Sequence, residues 1–337
     1  MNLLILIGVA VSFFSVLFFL PFWIRKCKEI GYLWNDMNKF NAPKNVAGSG
    51  GLIVILGFVL GVLCYIAIRT FSFSNGVSIN LQIFSLLSVI LIFAILGFTD
   101  DFLGWERKGL SVKFRLFLAF FASIPLVVIN AGNSLMNIPF LGLVEFGLIY
   151  PLIIVPIGIA GAATTYNFLA GFNGLETGQG IIILSFLSFV AYITGTPWLA
   201  LVGFIMVASL ISFYFYNKVP AKAFPGDILT YSIGALIAMI AILGNLEKIA
   251  VFIFIPYILE VCLKLKGRLK KHSFAKPNKD NSLEMPYDKI YGITHLSLFI
   301  LKKFKTKVYE KDVVYFIFAM QIIICLSALV IFKNSLF

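Results

Sequence analysis

The chain has 337 residues, of which 60% are hydrophobic and 12% charged, with a formal net charge of +12. Soluble domains carry about 25% charged residues, so half that share excludes an ordinary soluble enzyme and predicts a polytopic membrane protein. The positive charge would suit nucleic acid, but it is gathered in a few loops, which assigns it to anionic lipid headgroups and substrate phosphates instead.

A membrane span needs roughly 20 apolar residues. Hydropathy predicts about ten, at 2–23, 48–68, 80–98, 115–131, 147–165, 179–194, 197–215, 228–243, 249–264 and 313–332. The first begins at Met1 with no basic leader or small-residue cleavage site, so it reads as a retained helix. No internal repeat and no soluble domain interrupts the pattern. The expected fold is therefore an all-α polytopic membrane protein, with residues 1–337 as a single integral membrane domain. Residues 265–312 form a long basic loop within it. Glycine and alternating apolar residues from Gly132 to Phe146 predict a small hairpin between the fourth and fifth spans. Cys27, Cys64, Cys262 and Cys325 form no CxxC pair, and with only His272 and His295 beside them they argue against zinc or iron–sulfur chemistry.

The loops between the predicted spans sort sharply by charge. Of 27 lysines and arginines, 24 fall in or beside loops 24–47, 99–114, 166–178, 216–227 and 265–312; only Arg69, Lys248 and Lys333 fall on the other side. The positive-inside rule makes the first set cytoplasmic and places both termini outside. Every unusual polar cluster then lies on one face, which predicts a cytoplasmic active site in the cell membrane.

In chain order, the clusters begin with Asp36, Asn38 and Lys39, ahead of Gly48-Ser49-Gly50-Gly51, where glycines let helices approach closely. Asp100-Asp101 follows at the end of the third span, with Arg107, Lys108, Lys113 and Arg115 after it. Adjacent carboxylates there are either a hydrated helix end or part of a site. Asn167-Phe168-Leu169-Ala170-Gly171-Phe172-Asn173-Gly174-Leu175-Glu176 offers amides and tight turns. It is read either as a connecting turn or as a seat for a polar ring or pyrophosphate. Lys222-Ala223-Phe224-Pro225-Gly226-Asp227 opens the eighth span. Asp227 is a helix N-cap on one reading and a Mg²⁺ ligand on the other. Glu260, inside the ninth span, is a functional candidate by default or a partner of Lys264 one turn on. The run Lys264, Lys266, Arg268, Lys270, Lys271, His272 offers a cationic surface for phosphates.

Taken together and in this order, the clusters resemble the polyprenyl-phosphate N-acetylhexosamine-1-phosphate transferase family from about Asp36 to His295. Asp100-Asp101 matches its paired aspartates, Asn167 to Glu176 its asparagine-glycine loop, and Phe224-Pro225-Gly226-Asp227 its Phe-x-Gly-Asp motif. Ala170 and Asn173 stand where the bacterial phospho-MurNAc-pentapeptide translocases have aspartates, and Asn35–Lys39 and Leu283–Met285 look like the dolichol-type branch. Lys270, Lys271 and His272 are similar in charge to an Arg-His-Arg phosphate-binding element, though not in spelling. Arg115, with Lys113 nearby, falls where the family has a lysine, so a fork replaces a point charge.

What the resemblance implies is transfer of a sugar 1-phosphate, expected to be GlcNAc 1-phosphate, from a UDP-N-acetylhexosamine to a polyprenyl or dolichyl phosphate. It implies Mg²⁺ as cofactor, with Mn²⁺ as a substitute, held by Asp227 with Asn173. Asp100, Asp101, Arg115 and Lys113 become the expected catalytic residues. Asn167, Asn173, Gly174, Glu176, Asp36, Asn38, Lys222, Lys270, Lys271 and His272 become the expected substrate-binding ones. Membrane lipids are partners, nucleic acid is not, and a homodimer is allowed. The alternative is a transporter or lipid flippase with acidic coupling residues.

Overall fold

The computed structural model of the chain describes residues 6–73, 77–106, 109–138 and 142–333. It is mostly helical, with 69% of residues in helix. Seven helices among the described residues are long and apolar enough to cross a membrane. They are α1 (Ile7–Ile30), α2 (Gly51–Phe73), α3 (Val77–Glu106), α7 (Leu175–Ile193), α8 (Pro197–Asn217), α9 (Gly226–Leu243) and α13 (Glu310–Ile331). The shorter α4 (Val112–Ala122), α5 (Ile124–Val128), α6 (Val155–Tyr166), α10 (Glu247–Ile253), α11 (Ile255–Lys266) and α12 (Ile293–Leu301) lie between them.

The expected spans at 115–131, 147–165 and 249–264 are thus each found in pieces. The cause is proline, whose ring displaces the carbonyl four residues back and whose nitrogen cannot donate. Pro125 starts α5 directly after the break at Ser123. Pro151 lies in a π-helical turn, Tyr150–Ile154, and Pro156 opens α6 after it. Pro256 opens α11 after the break at Phe254.

The chain is not wholly helical either. Among the described residues three two-stranded antiparallel ribbons join it: β1 (Leu33–Asn35) with β2 (Lys44–Ala47), β3 (Leu135–Ile138) with β4 (Gly142–Glu145), and β5 (Lys276–Pro277) with β6 (Leu283–Glu284). The second is the hairpin expected between 132 and 146, in register from Leu135–Glu145 to Ile138–Gly142. Its Phe140 and Leu141, like Arg107 and Lys108, lie outside the described residues.

The site is positioned by α9. Of its membrane-length stretch 83% is buried, against 22% for α1 and 28% for α13. It packs against α3 on one side and α6 on the other, with α2 and α7 also in contact. The strand after β1 reaches it as well. Ala47 pairs in parallel with Ala223, and the N–H groups of Gly50 and Gly51 donate to the carbonyls of Phe224 (2.8 Å) and Pro225 (3.0 Å). The first residues of α2 are therefore bonded to the turn that delivers Asp227.

Candidate active site

Asp227 lies in the first turn of α9, with a quarter of its side chain accessible. Around it stand the other acids singled out in the sequence. Asp101 Oδ1 accepts the Asp227 N–H at 2.8 Å, and its Oδ2 accepts the Ser49 hydroxyl at 2.8 Å and the Ile228 N–H at 3.5 Å. Tyr32 in turn bonds Ser49 Oγ at 2.6 Å. Asp101 thus caps α9 from a different helix, supplying the acceptor that the orphan N–H groups of a helix start require. Asp100 points elsewhere: its Oδ1 accepts the Leu110 N–H at 2.6 Å and its Oδ2 the Arg115 guanidinium at 2.7 Å. Arg115 also donates to Tyr231 Oη at 3.1 Å and lies 3.6 Å from Asp227 Oδ2. Both members of the pair therefore hold other groups in place, one the Asp227 turn and the other Arg115. Lys113, on the exposed side of α4, joins neither.

Two cavities meet here. The larger, about 560 Å³, is lined by Asp227, Asp101, Asp36, Asn167, Asn173 and Glu176, with Trp34, Phe172 and Phe224 among the aromatics. The smaller, about 340 Å³, carries Arg115, Lys264, Lys271 and His272 beside the apolar Val112, Leu116 and Leu269. Asn167, Ala170, Gly171, His272 and Phe274 line both.

The 167–176 loop is held from below. Gly171 N–H donates to Glu176 Oε1 (2.9 Å), and Tyr166 Oη donates to the Glu176 carbonyl (2.5 Å). Asn173 donates its amide to Asp36 Oδ2 (2.9 Å), leaving the amide oxygen as the group it can offer a ligand. Asn38 ties three segments together: it donates to Gly171 O (2.7 Å), approaches Glu310 Oε1 (3.4 Å) and accepts from the Ala275 N–H (3.0 Å). Gly174 supplies the left-handed residue (φ +85°) before α7, a conformation costly for residues with a Cβ. It does not appear in either cavity wall. Nor do Lys222 and Lys270: both are exposed, and Lys222 meets the site through its carbonyl, which accepts from Ala47 N–H.

One acid of this network was not foreseen. Glu310, buried at the start of α13, accepts the Asn173 N–H at 2.7 Å and pairs with Lys39. An acid at a helix start has an ordinary dipole explanation, so its partners 137 and 271 residues away left no local signal.

Among the described residues no three His, Cys, Asp or Glu side chains converge as a self-sufficient metal cage. The donor set nevertheless fits Mg²⁺, which takes one or two carboxylates and completes its shell with water and substrate phosphate oxygens. Asp227 is the carboxylate available for this; Asp100 and Asp101 add negative charge that Arg115 alone does not balance.

Helices of membrane length with a cavity of acids, amides and cations at their ends describe a multi-pass membrane protein with a candidate active site. Comparison with known proteins agrees: the model of glycosyl transferase family 4 matches residues 83–245. A Saccharolobus solfataricus protein, provisionally named a UDP-N-acetylglucosamine–dolichyl-phosphate N-acetylglucosaminephosphotransferase, is 33% identical over 98% of this chain and 97% of its own length. A Sulfolobus acidocaldarius protein of the same provisional name is 34% identical over 97% and 95%. A Streptococcus pyogenes phospho-N-acetylmuramoyl-pentapeptide-transferase is more distant, 29% identical over 76% of this chain and 78% of its own. The chain belongs to glycosyl transferase family 4, whose members transfer a sugar 1-phosphate to a polyprenyl phosphate.

Proposed function

We propose that this chain transfers GlcNAc 1-phosphate from UDP-GlcNAc to a dolichyl-type phosphate, releasing UMP and forming a lipid-linked sugar pyrophosphate that begins glycan assembly. The observation that carries the reading is the pair of adjoining cavities. One is acidic, amide-lined and walled by aromatics, as a nucleotide sugar beside a divalent cation requires; the other is cationic with an apolar flank, as a phosphate on a hydrocarbon chain requires. The names of the archaeal relatives support the same donor and acceptor.

In this reaction an oxygen of the lipid phosphate forms a bond to the β-phosphorus of the UDP-sugar. The bond from that phosphorus to the bridging oxygen breaks, and UMP leaves with the electron pair. The attacking phosphate is largely ionised at neutral pH, so no strong base is needed. That suits the positioning work of Asp100 and Asp101. Arg115, fixed by Asp100, and His272 and Lys271, in the walls, grip the phosphates as charge shifts during transfer. Asp227 with the Asn173 amide oxygen would hold Mg²⁺, which when bound neutralises pyrophosphate charge and improves the leaving group. The membrane arrangement that goes with this reading has about ten crossings, the three broken segments included. Both termini lie outside and the cavities open to the cytoplasmic side of the cell membrane.

Purified protein supplied with labelled UDP-GlcNAc and a polyprenyl phosphate should release UMP only when Mg²⁺ is present. Asp227→Ala should abolish that release. Near-normal turnover in this variant would remove Asp227 from the metal site.

A further inference from the structure

The segment Lys271–Phe274 forms one side of the partition between the two cavities, opposite the shared residues of the 167–176 loop: His272 and Phe274 line both, Lys271 and Ser273 the smaller. It belongs to no helix or strand, so its place depends on individual bonds. Lys264 Nζ supplies two of them, to Ser273 Oγ at 2.6 Å and to the Lys271 carbonyl at 3.3 Å. Thr294 Oγ1 donates to the Ser273 carbonyl at 2.9 Å, and the His272 N–H reaches Tyr287 Oη at 3.3 Å.

Lys264 is the charged member of this set and is buried, so its ammonium needs a counter-charge. Glu260, one turn back on α11 and wholly buried, lies 3.7 Å from it. The other Glu260 oxygen accepts the Ile293 N–H at 2.5 Å, at the start of α12. The pair is a poor device for stability alone. Glu260 Oε1 makes no hydrogen bond, and burying two charges at that separation costs more than a packed apolar pair would. His295, on α12 nearby, does not share the charge: burial, and then Lys264, push its imidazole down to about 4, so it is neutral. A costly buried pair whose cation bonds the wall of a reaction site points to function.

We propose that Lys264, anchored by Glu260, is a positioning residue for the transfer, fixing the 271–274 partition so that Lys271 and His272 face the phosphates of both substrates. The proposal rests on the transferase reading given above, and its test separates the two. Two full-length variants are compared with wild type. Glu260→Gln with Lys264→Met removes both charges together, so that neither is left buried alone; Ser273→Ala keeps the pair and deletes one bond to the partition. Hydrogen exchange of the 271–275 amides is measured first, then steady-state UMP release. Exchange at 271–275 should quicken by about tenfold in both variants while α9 stays unchanged. The kcat should fall by about 10²-fold in the double variant and several-fold in Ser273→Ala, with KM for UDP-GlcNAc moving less than about threefold, since misplacement costs turnover more than binding. Unchanged exchange in Ser273→Ala, or wild-type kcat in the double variant, would overturn the proposal. If the double variant does not fold, Ser273→Ala decides alone. Wild-type protein that releases no UMP would count against the transferase reading, leaving the partition to be judged by exchange.

Discussion

Asp101 and Asp227 are joined by a single 2.8 Å hydrogen bond from the backbone of one to the carboxylate of the other, and their work differs accordingly. Asp101 accepts from two N–H groups and one hydroxyl, so an amide in its place would turn a donor toward donors. Asp227 has acidic neighbours and one nearby guanidinium, so losing its charge relieves crowding. The two neutral variants should therefore separate in thermal unfolding. Asp101→Asn should lose about 1–3 kcal/mol of stability, whereas Asp227→Asn should match or exceed wild type while losing UMP release. Equal destabilisation by both would contradict the division. Of these roles, the sequence showed that Asp227 opens a helix and that the aspartate pair stood near a site. It did not show what each member of the pair bonds, because their partners are a helix start 126 residues on and an arginine on the next helix. Glu310 was hidden for the same reason.

At the scale of elements, apolar periodicity and prolines were readable, and contact between helices was not. Pro125, Pro151, Pro156 and Pro256 mark the places where expected spans break, yet a hydropathy window averages across them. Gly97 is an instance of the other kind. It lies inside α3 with no turn to explain it, and the structure places it against the backbone of Asp227 and Ile228, closer than any Cβ could fit. The approach of α3 to α9 at this glycine is what lets Asp101 reach the α9 N-terminus one turn further along. Gly97→Ala should push the helices apart, costing about 1–3 kcal/mol by overpacking. UMP release should fall with it, because the Asp101–Asp227 bond lengthens. Ala at Gly158, where nothing lies within 4 Å of an added Cβ, is the control and should leave stability unchanged or slightly raised. Similar behaviour of the two variants would show that the contact does not matter.

For the molecule as a whole, charge and geometry agree on one end of the bundle. The residues that line the two cavities come from the stretch between α1 and α2, the end of α3, the start of α4, the end of α6 with the 167–176 loop, the end of α8, the start of α9, and the end of α11 with the segment after it. These stretches lie in or beside the loops that hold 24 of the 27 lysines and arginines in the sequence. The two kinds of observation are independent, since loop charge governs insertion while cavity geometry governs chemistry. The proposed arrangement, with both termini outside, would satisfy them together, and accessibility in cells tests it. In a background with Cys27, Cys64, Cys262 and Cys325 replaced by serine or alanine, single cysteines are introduced at the exposed Asn133, beside β3, and the exposed Lys279, beside β5. A membrane-impermeant maleimide should label Asn133→Cys in intact cells and Lys279→Cys only after permeabilisation. Labelling in the reverse order would invert the molecule and place the cavities outside. A nucleotide-sugar donor drawn from the cytoplasm could then not reach them, and the transferase reading would need a donor supplied from the other side of the membrane.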